Sequence, residues 1–245
     1  NTGEGGMLKA LIFDVDGTLA DTEMAHLSAF NLAFAEMGLD WHWDVPLYTR
    51  LLEVSGGKER IRAYWESRGD MPREIGAGAV DATIARLHEI KTAAYEQAVQ
   101  DGQVQMRPGV LQLMSAAMAD GLRLAIATTT SPVNIASLLK RWIGLDWREH
   151  FSVIEDASTA PRKKPDPLVY LQTLQRLGLT ARDCLAIEDS ANGLKAALES
   201  GLPTVITTNA FTAHQDFTGA LRTLTSLEGM TLAQLREWHR QSLAS

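Results

Sequence analysis

Cysteine is almost missing from this chain: Cys184 is the only one in 245 residues, so no disulfide can close within it. That scarcity suits a reducing compartment. Cys184 stands in the run Asp183-Cys184-Leu185-Ala186-Ile187, which reads as a buried strand, so a packed thiol is expected rather than a reactive one. No apolar stretch approaches the roughly 18 residues needed to span a bilayer. The N-terminus has no charged-then-apolar leader; Asn1 to Gly6 read as foreign residues before a start at Met7, and the cytoplasm is the expected location. Basic residues are the minority, 23 Lys and Arg against 30 Asp and Glu, for a net charge of -7. This balance argues against nucleic acid or an anionic membrane as the main partner. A small-molecule partner and a monomer are expected instead. Internal repeats and low-complexity segments are also lacking. An acidic chain binds phosphate only where it gathers cations locally, so metal-ligating acids, lysines and arginines are the residues to follow.

What is present is ordinary for a soluble globular protein: 45% apolar and 22% charged residues, with a length that allows one core carrying a smaller insert. Leu8 to Phe13 is a short apolar run ending in a Gly-containing polar turn, and predicts a buried strand. From Thr22 to about Val99, Ala, Leu, Glu, Arg and aromatics recur at helical spacing, broken at Gly56-Gly57 and between Gly69 and Gly78. After Arg107-Pro108-Gly109 the pattern alternates. Helices are expected over Val110–Ala119, Pro132–Trp142, Pro167–Leu177 and Gly193–Glu199, and strands over Leu122–Ala127, Phe151–Ile154, Cys184–Ile187 and, last, Thr204–Thr207. Gly121, Gly178 and Gly201 mark left-handed helix ends. Such alternation predicts an α/β fold with a Rossmann-like parallel sheet. The helical block becomes a cap inserted after the first strand, residues 21–102, on a core of 7–20 plus 103–245.

Four strand ends carry chemistry. The first is Asp14-Val15-Asp16-Gly17-Thr18. Ligands of open parallel sheets bind beyond the carboxyl ends of the strands, and residues i and i+2 leave a strand on one side, so the two carboxylates can face one ligand. Alone, the motif reads equally well as a polar turn whose aspartates cap backbone amides. The second is Thr128-Thr129-Thr130-Ser131-Pro132, a strand-to-helix junction with Ser131 as cap and hydroxyls and free amides suited to an anion. The third is Lys163-Lys164-Pro165, which in isolation is most simply a solvated basic turn. The fourth is Glu188-Asp189-Ser190, two adjacent carboxylates that would repel without a cation; hard oxygen ligands suit magnesium.

In that order and placement, the four motifs resemble the haloacid dehalogenase superfamily of phosphatases over Met7 to about Thr208. The resemblance implies that Asp14 is a nucleophile forming an aspartyl-phosphate, and that Asp16 serves as general acid and base. It implies Mg2+ held by Asp14, the backbone carbonyl of Asp16, Asp189 and Glu188, the last directly or through water. Lys164, favoured over Lys163 by its pairing with proline, balances charge, and Thr128 and Thr129 bind the phosphoryl oxygens. The task for these cations is plain: a carboxylate ~3.5 Å from a phosphate dianion feels roughly 9 kcal/mol of repulsion at an effective dielectric of about 20.

The cap should choose the leaving group. Glu23 and His26 follow the catalytic loop one helical turn apart, though His26 is equally readable as a packed histidine. Trp41-His42-Trp43 and Tyr48 read mostly as helix packing. Gly56-Gly57-Lys58-Glu59-Arg60 offers free amides and a basic pair to a second anion. Together with Phe13 to Leu19, Ala127 to Ser131 and Glu188 to Ser190, these segments resemble the CbbY-type phosphatases, which hydrolyse xylulose-1,5-bisphosphate. That narrower resemblance makes Glu23, His26, Tyr48, Gly57, Lys58 and Arg60 substrate-binding candidates. A phosphomutase of the β-phosphoglucomutase type and a phosphoglycolate phosphatase remain open, since the core motifs are shared. Asp21 is given no role.

Overall fold

A computed structural model describes residues 7–72 and 77–245. Residues 1–6 and part of the expected break between Gly69 and Gly78 lie outside these. Six strands, β1 (Ala10–Phe13), β2 (Arg123–Ala127), β3 (Val153–Glu155), β4 (Cys184–Glu188), β5 (Thr204–Thr207) and β6 (Arg222–Leu224), form one sheet in the order β3-β2-β1-β4-β5-β6. Every pairing is parallel. This is the doubly wound order, whose direction reverses between β1 and β4 and opens a crevice there. Phe13 pairs with Ile126 on one side and Ile187 on the other, so the chain leaves β1 at Asp14 directly beside the end of β4.

β1, β4 and β5 are buried along their whole length, and β2 is buried after its exposed first residue, Arg123. Alternate residues therefore serve opposite faces: Leu11, Phe13, Leu185 and Ile187 pack on one side, Ala10, Ile12, Cys184 and Ala186 on the other. Between β1 and β2 the chain forms α1 (Glu23–Glu36), α2 (Val45–Leu51), α3 (Gly57–Arg68) and α4 (Ala77–Gln100). The remaining helices are α5 (Val110–Ala119), α6 (Pro132–Trp142), α7 (Leu168–Leu177), α8 (Ala191–Glu199) and α9 (Leu232–Ala244). α5, α6 and α9 cover the first face of the sheet, α7 and α8 the second.

The four-helix insertion has an apolar cluster of its own, built on Phe30, Phe34, Trp41, Trp43 and Tyr48. Trp43 sits 4.8 Å, centroid to centroid, from both Phe30 and Phe34. Burial of such rings supplies far more stabilisation than any surface pair of the insertion. Phe211, from the segment after β5, joins this cluster, while Ala25, Ala29, Tyr95 and Val99 of α1 and α4 join the sheet's.

Several expected bounds shift. The first strand starts at Ala10 rather than Leu8 because Leu8 precedes the first ladder pairing with Arg123. The third runs Val153–Glu155 rather than Phe151–Ile154, since Trp147–His150 form a 3₁₀ turn that carries Phe151 into the loop. The seventh helix begins at Leu168 with Pro167 as its cap, and the eighth at Ala191, where Ser190 accepts from Gly193 N. Thr204–Thr207 is not the last strand: β6 and α9 follow it. Lys164 and Pro165 lie in a short turn ahead of the seventh helix, and the peptide between them is cis. Cys184 is fully buried, and burial pushes its thiol up to about 12, as a packed thiol should be. Among the described residues, no helix is long and apolar enough to cross a membrane.

Candidate active site

The site grows from the end of β1. Asp14 N donates to Ile187 O at 3.1 Å, which fixes the backbone of the first acid to β4. The turn then tightens: Thr18 N and Leu19 N both donate to Val15 O, and Gly17 takes φ 77°, a conformation costly for any residue with a Cβ. The Thr18 hydroxyl donates to Asp14 Oδ2 at 2.9 Å. Asp14 is itself buried, yet it opens onto the cavity above the sheet.

Lys164 reaches the same point from the loop after β3. Its Nζ lies 3.0 Å from Asp14 Oδ1, 2.6 Å from Glu188 Oε1 and 2.8 Å from Ala127 O, so all three ammonium protons have acceptors. Burial alone would lower this ammonium, but Asp14 and Glu188 outweigh it and hold the proton far above the ordinary lysine range. Lys163 lines the cavity without joining that cluster.

Asp14, Glu188 and Asp189 each place a carboxylate oxygen within 4.8 Å of the others. Burial, followed by the Asp14 charge, pushes Glu188 up to about 7, although Lys164 and Tyr170 pull against it. Asp189 is raised well above the usual carboxylate range by burial, Asp14 and Glu188, in that order. Fully ionised, three buried carboxylates with one lysine would carry two uncompensated negative charges, which is why Glu188 and Asp189 are driven toward holding protons. Glu188 Oε2 is buried with no hydrogen-bond partner among the described residues. An all-oxygen donor set with that charge fits a hard divalent cation. Glu188 lies behind Lys164, outside the cavity lining that Asp14 and Asp189 share.

Asp16 turns the other way, toward the start of α1. Its Oδ1 accepts from the Thr22 hydroxyl at 2.8 Å and meets His26 Nε2 at 2.7 Å. His26 Nδ1 lies 2.8 Å from Lys91 Nζ, and the imidazole stacks on Tyr95 at 4.0 Å. A protonated lysine can only donate, so Nδ1 carries the lone pair and Nε2 the proton that points at Asp16. Burial by itself would raise Asp16; the His26 contact, then Thr22 and Lys91, reverse this and hold it well below the carboxylate range. Burial lowers Lys91 to about 8, with Asp16 pulling the other way.

A cavity of about 530 Å³ lies between the sheet edge and the helical insertion. Its size suits a small molecule. Asp14, Asp16, Thr128, Thr129, Lys164 and Asp189 line its floor, and Glu23, His26, Tyr48, Gly57, Lys58 and Arg60 its upper wall. The cations Lys58, Arg60, Lys91, Lys163 and Lys164 all face it, so this acidic protein does concentrate positive charge at one place. Thr128 is buried, with its Oγ1 accepting from Thr130 N at 3.1 Å, and Ser131 caps α6. Tyr48 is also buried; its hydroxyl donates to Glu23 Oε2 at 2.7 Å. Arg60 is half-buried and partly committed, donating to Leu51 O and Val54 O and lying 5.6 Å from the Tyr48 ring. Lys58 is exposed at the mouth. His26, open to two readings in the sequence, is a buried residue that also lines the cavity, with both ring nitrogens occupied.

Four residues of the site carry no sequence signal. Lys91 is one basic residue among many on a long helix. Tyr170, on α7, gives its hydroxyl to Glu188 Oε1. Arg107 is buried and donates to Gly17 O at 2.6 Å, Thr208 O at 2.6 Å and Thr225 O at 2.8 Å, pinning the turn after β1 to the ends of β5 and β6. Asn209 donates to Asp189 Oδ2 at 2.9 Å. Only the Arg-Pro-Gly break before α5 hints at a structural role for Arg107; nothing local marks the others.

Paired acids at β1, a lysine between them and the acids of β4, and a cationic cavity above are the arrangement of one hydrolase class. The model of the haloacid dehalogenase-like hydrolases matches residues 8–201, and the chain belongs to that family. Within it the chain stands with the CbbY-type phosphatases. It is 53% identical to the plasmid-encoded CbbY of Cupriavidus necator, over 96% of this chain and 98% of that protein. It is 46% identical to the CbbY of Rhodobacter capsulatus, over 87% of this chain and 91% of that protein. The crystal structure of CbbY from Rhodobacter sphaeroides in complex with phosphate superposes with a TM-score of 0.86 at 39% identity, over 94% of this chain and 99% of that one. A mutant of that same protein, solved in complex with xylulose-1,5-bisphosphate, matches equally well.

Proposed function

We propose that this phosphatase is Mg2+-dependent and hydrolyses a small sugar phosphate, xylulose-1,5-bisphosphate first among the candidates, through an aspartyl-phosphate on Asp14. The observation that carries the reading is the meeting of Asp14, Glu188 and Asp189 around Lys164, beneath a cavity with further cations on its opposite wall. Asp14, Asp189 and the Asp16 carbonyl would hold the ion, with Glu188 as a direct or water-mediated partner. When bound, magnesium supplies positive charge between the attacking carboxylate and the phosphoryl oxygens.

The protein's own groups do the rest. Asp14 attacks phosphorus while Lys164 and Thr128 receive charge that builds on the phosphoryl oxygens. Thr18 and Lys164 hold the Asp14 carboxylate in place, leaving no conformational search at the moment of attack. Asp16, which must take up a proton as substrate binds, gives it to the leaving alkoxide as the P–O bond breaks, and the carboxylate so formed takes the proton of the water that hydrolyses the aspartyl-phosphate. His26 Nε2, at 2.7 Å, favours the ionised form of Asp16, the state the second step requires. Residues 21–102 act as the cap domain on the 7–20 and 103–245 core, and Lys58, with Arg60, Tyr48, Glu23 and His26, selects the sugar. The bisphosphate complex of the relative, 39% identical, supports this choice of substrate.

A phosphate-release panel tests the reading: xylulose-1,5-bisphosphate, ribulose-1,5-bisphosphate, phosphoglycolate and glucose-1-phosphate, each with Mg2+, for the native protein and Asp14→Asn. Fastest turnover of xylulose-1,5-bisphosphate, lost in a folded Asp14→Asn, is expected. Activity that needs a bisphosphate primer and releases little phosphate would make it a mutase instead.

A further inference from the structure

β5 ends at Thr207, and the chain turns back over the carboxyl edge of the sheet through Asn209 and Phe211. The Asn209 side chain is fully engaged there. Its Nδ2 donates to Asp189 Oδ2 at 2.9 Å and to Gly17 O at 3.2 Å, while its Oδ1 accepts from Phe211 N at 2.9 Å. Because a backbone N–H needs an acceptor, the Phe211 contact fixes which end of the amide faces Asp189. Contact is close on every side: a Cβ on Gly17 would run into Asp189 Oδ2 and come within 2.8 Å of Asn209 Nδ2.

The other oxygen, Asp189 Oδ1, faces the Thr18 hydroxyl that also donates to Asp14. Asp189 is thus held at Oδ2 and turned with Oδ1 toward the nucleophile. A neutral amide suits this task better than a lysine or arginine would, since it orients the carboxylate without neutralising it. Phe211 anchors the turn from its far side: it is buried in the insertion's aromatic cluster, 6.0 Å from the Tyr48 ring.

We propose that Asn209 is a positioning residue of the metal centre, fixing the Asp189 carboxylate so that Oδ1 is presented together with Asp14 to the cation. This deepens the Mg2+ reading above and rests on it.

Titration of Mn2+ followed by electron paramagnetic resonance tests it without reference to turnover. Asn209→Ala should weaken Mn2+ binding by about tenfold or more, the scale expected for losing an outer partner of a ligand. Phe211→Ala should leave Mn2+ affinity unchanged and raise KM for the sugar phosphate, because it loosens the dock with Tyr48 and not the hydrogen bond to Asp189. Unchanged affinity in Asn209→Ala would overturn the assignment. Equal weakening in both variants would overturn it too, by tracing the effect to general packing of the turn. If the native protein itself binds no Mn2+, the metal reading fails and this inference with it.

Discussion

Lys164 Nζ stands 3.0 Å from Asp14 Oδ1, although 150 positions separate the two residues along the chain. The sheet order alone brings them together, since Lys164 returns from β3 across β2 to the end of β1. Lys164→Met therefore removes the one cation among three buried carboxylates while preserving the stem. Stability should fall by roughly 3–5 kcal/mol in metal-free protein, as when one partner of a buried pair is deleted. The rate constant kcat should fall at least ~100-fold. Thermal melts with and without Mg2+ and single-turnover kinetics check both; unchanged stability would mean the acids are already neutral.

Proton release should accompany metal binding. Glu188 is pushed from its ordinary 4.5 up to about 7, so in metal-free protein its contribution to stability is full below 4.5 and is lost as pH rises through about 7. Asp189 shifts in the same direction. His88, lowered to about 3 chiefly by burial, has the opposite pH dependence, so the raw melting curve mixes the two. The Mg2+-induced rise in Tm isolates the acids: it should grow as pH rises through about 7 and level off above. A rise independent of pH would contradict the shared site.

His26→Gln removes the imidazole that holds Asp16 ionised. The Asp16 carboxyl should then move up toward its ordinary value, and because Asp16 must carry a proton to release the leaving alkoxide, the basic limb of the pH–kcat/KM profile should move up with it. A basic limb that stays in place would separate Asp16 from the proton transfer.

Lys58→Ala should raise KM for xylulose-1,5-bisphosphate far more than for a monophosphate of similar size, since Lys58 is exposed at the mouth away from Asp14. Equal effects on both would make Lys58 a solvated residue with no part in choosing the substrate.

The strand-end acids and Thr128 were legible because each follows an apolar run and precedes a turn or cap, whereas Lys164 stood out only by its place between Lys163 and Pro165. α5 and α6 matched their expected bounds for the same reason, with Gly109 before one and Ser131-Pro132 opening the other. β6 escaped because Arg222–Leu224 is three residues long with two of them exposed, so no apolar pattern marks it. α9 escaped because it buries little beyond Leu235 and His239 and otherwise reads as a solvated tail. Arg107, Lys91 and Asn209 were illegible for another reason: their partners lie far away in sequence, and a single polar residue has no period. Asn192 is a further case, donating to Glu53 O at 2.8 Å across from the core to the insertion.

If acids from β1 and β4 share one divalent cation, phosphoryl transfer from substrate to Asp14 depends on it. Phosphate release from xylulose-1,5-bisphosphate should be followed on exhaustively chelated protein while Mg2+ is titrated back. No turnover is expected in the stripped protein, with recovery that saturates as Mg2+ is added. Full turnover in the stripped protein would contradict this dependence.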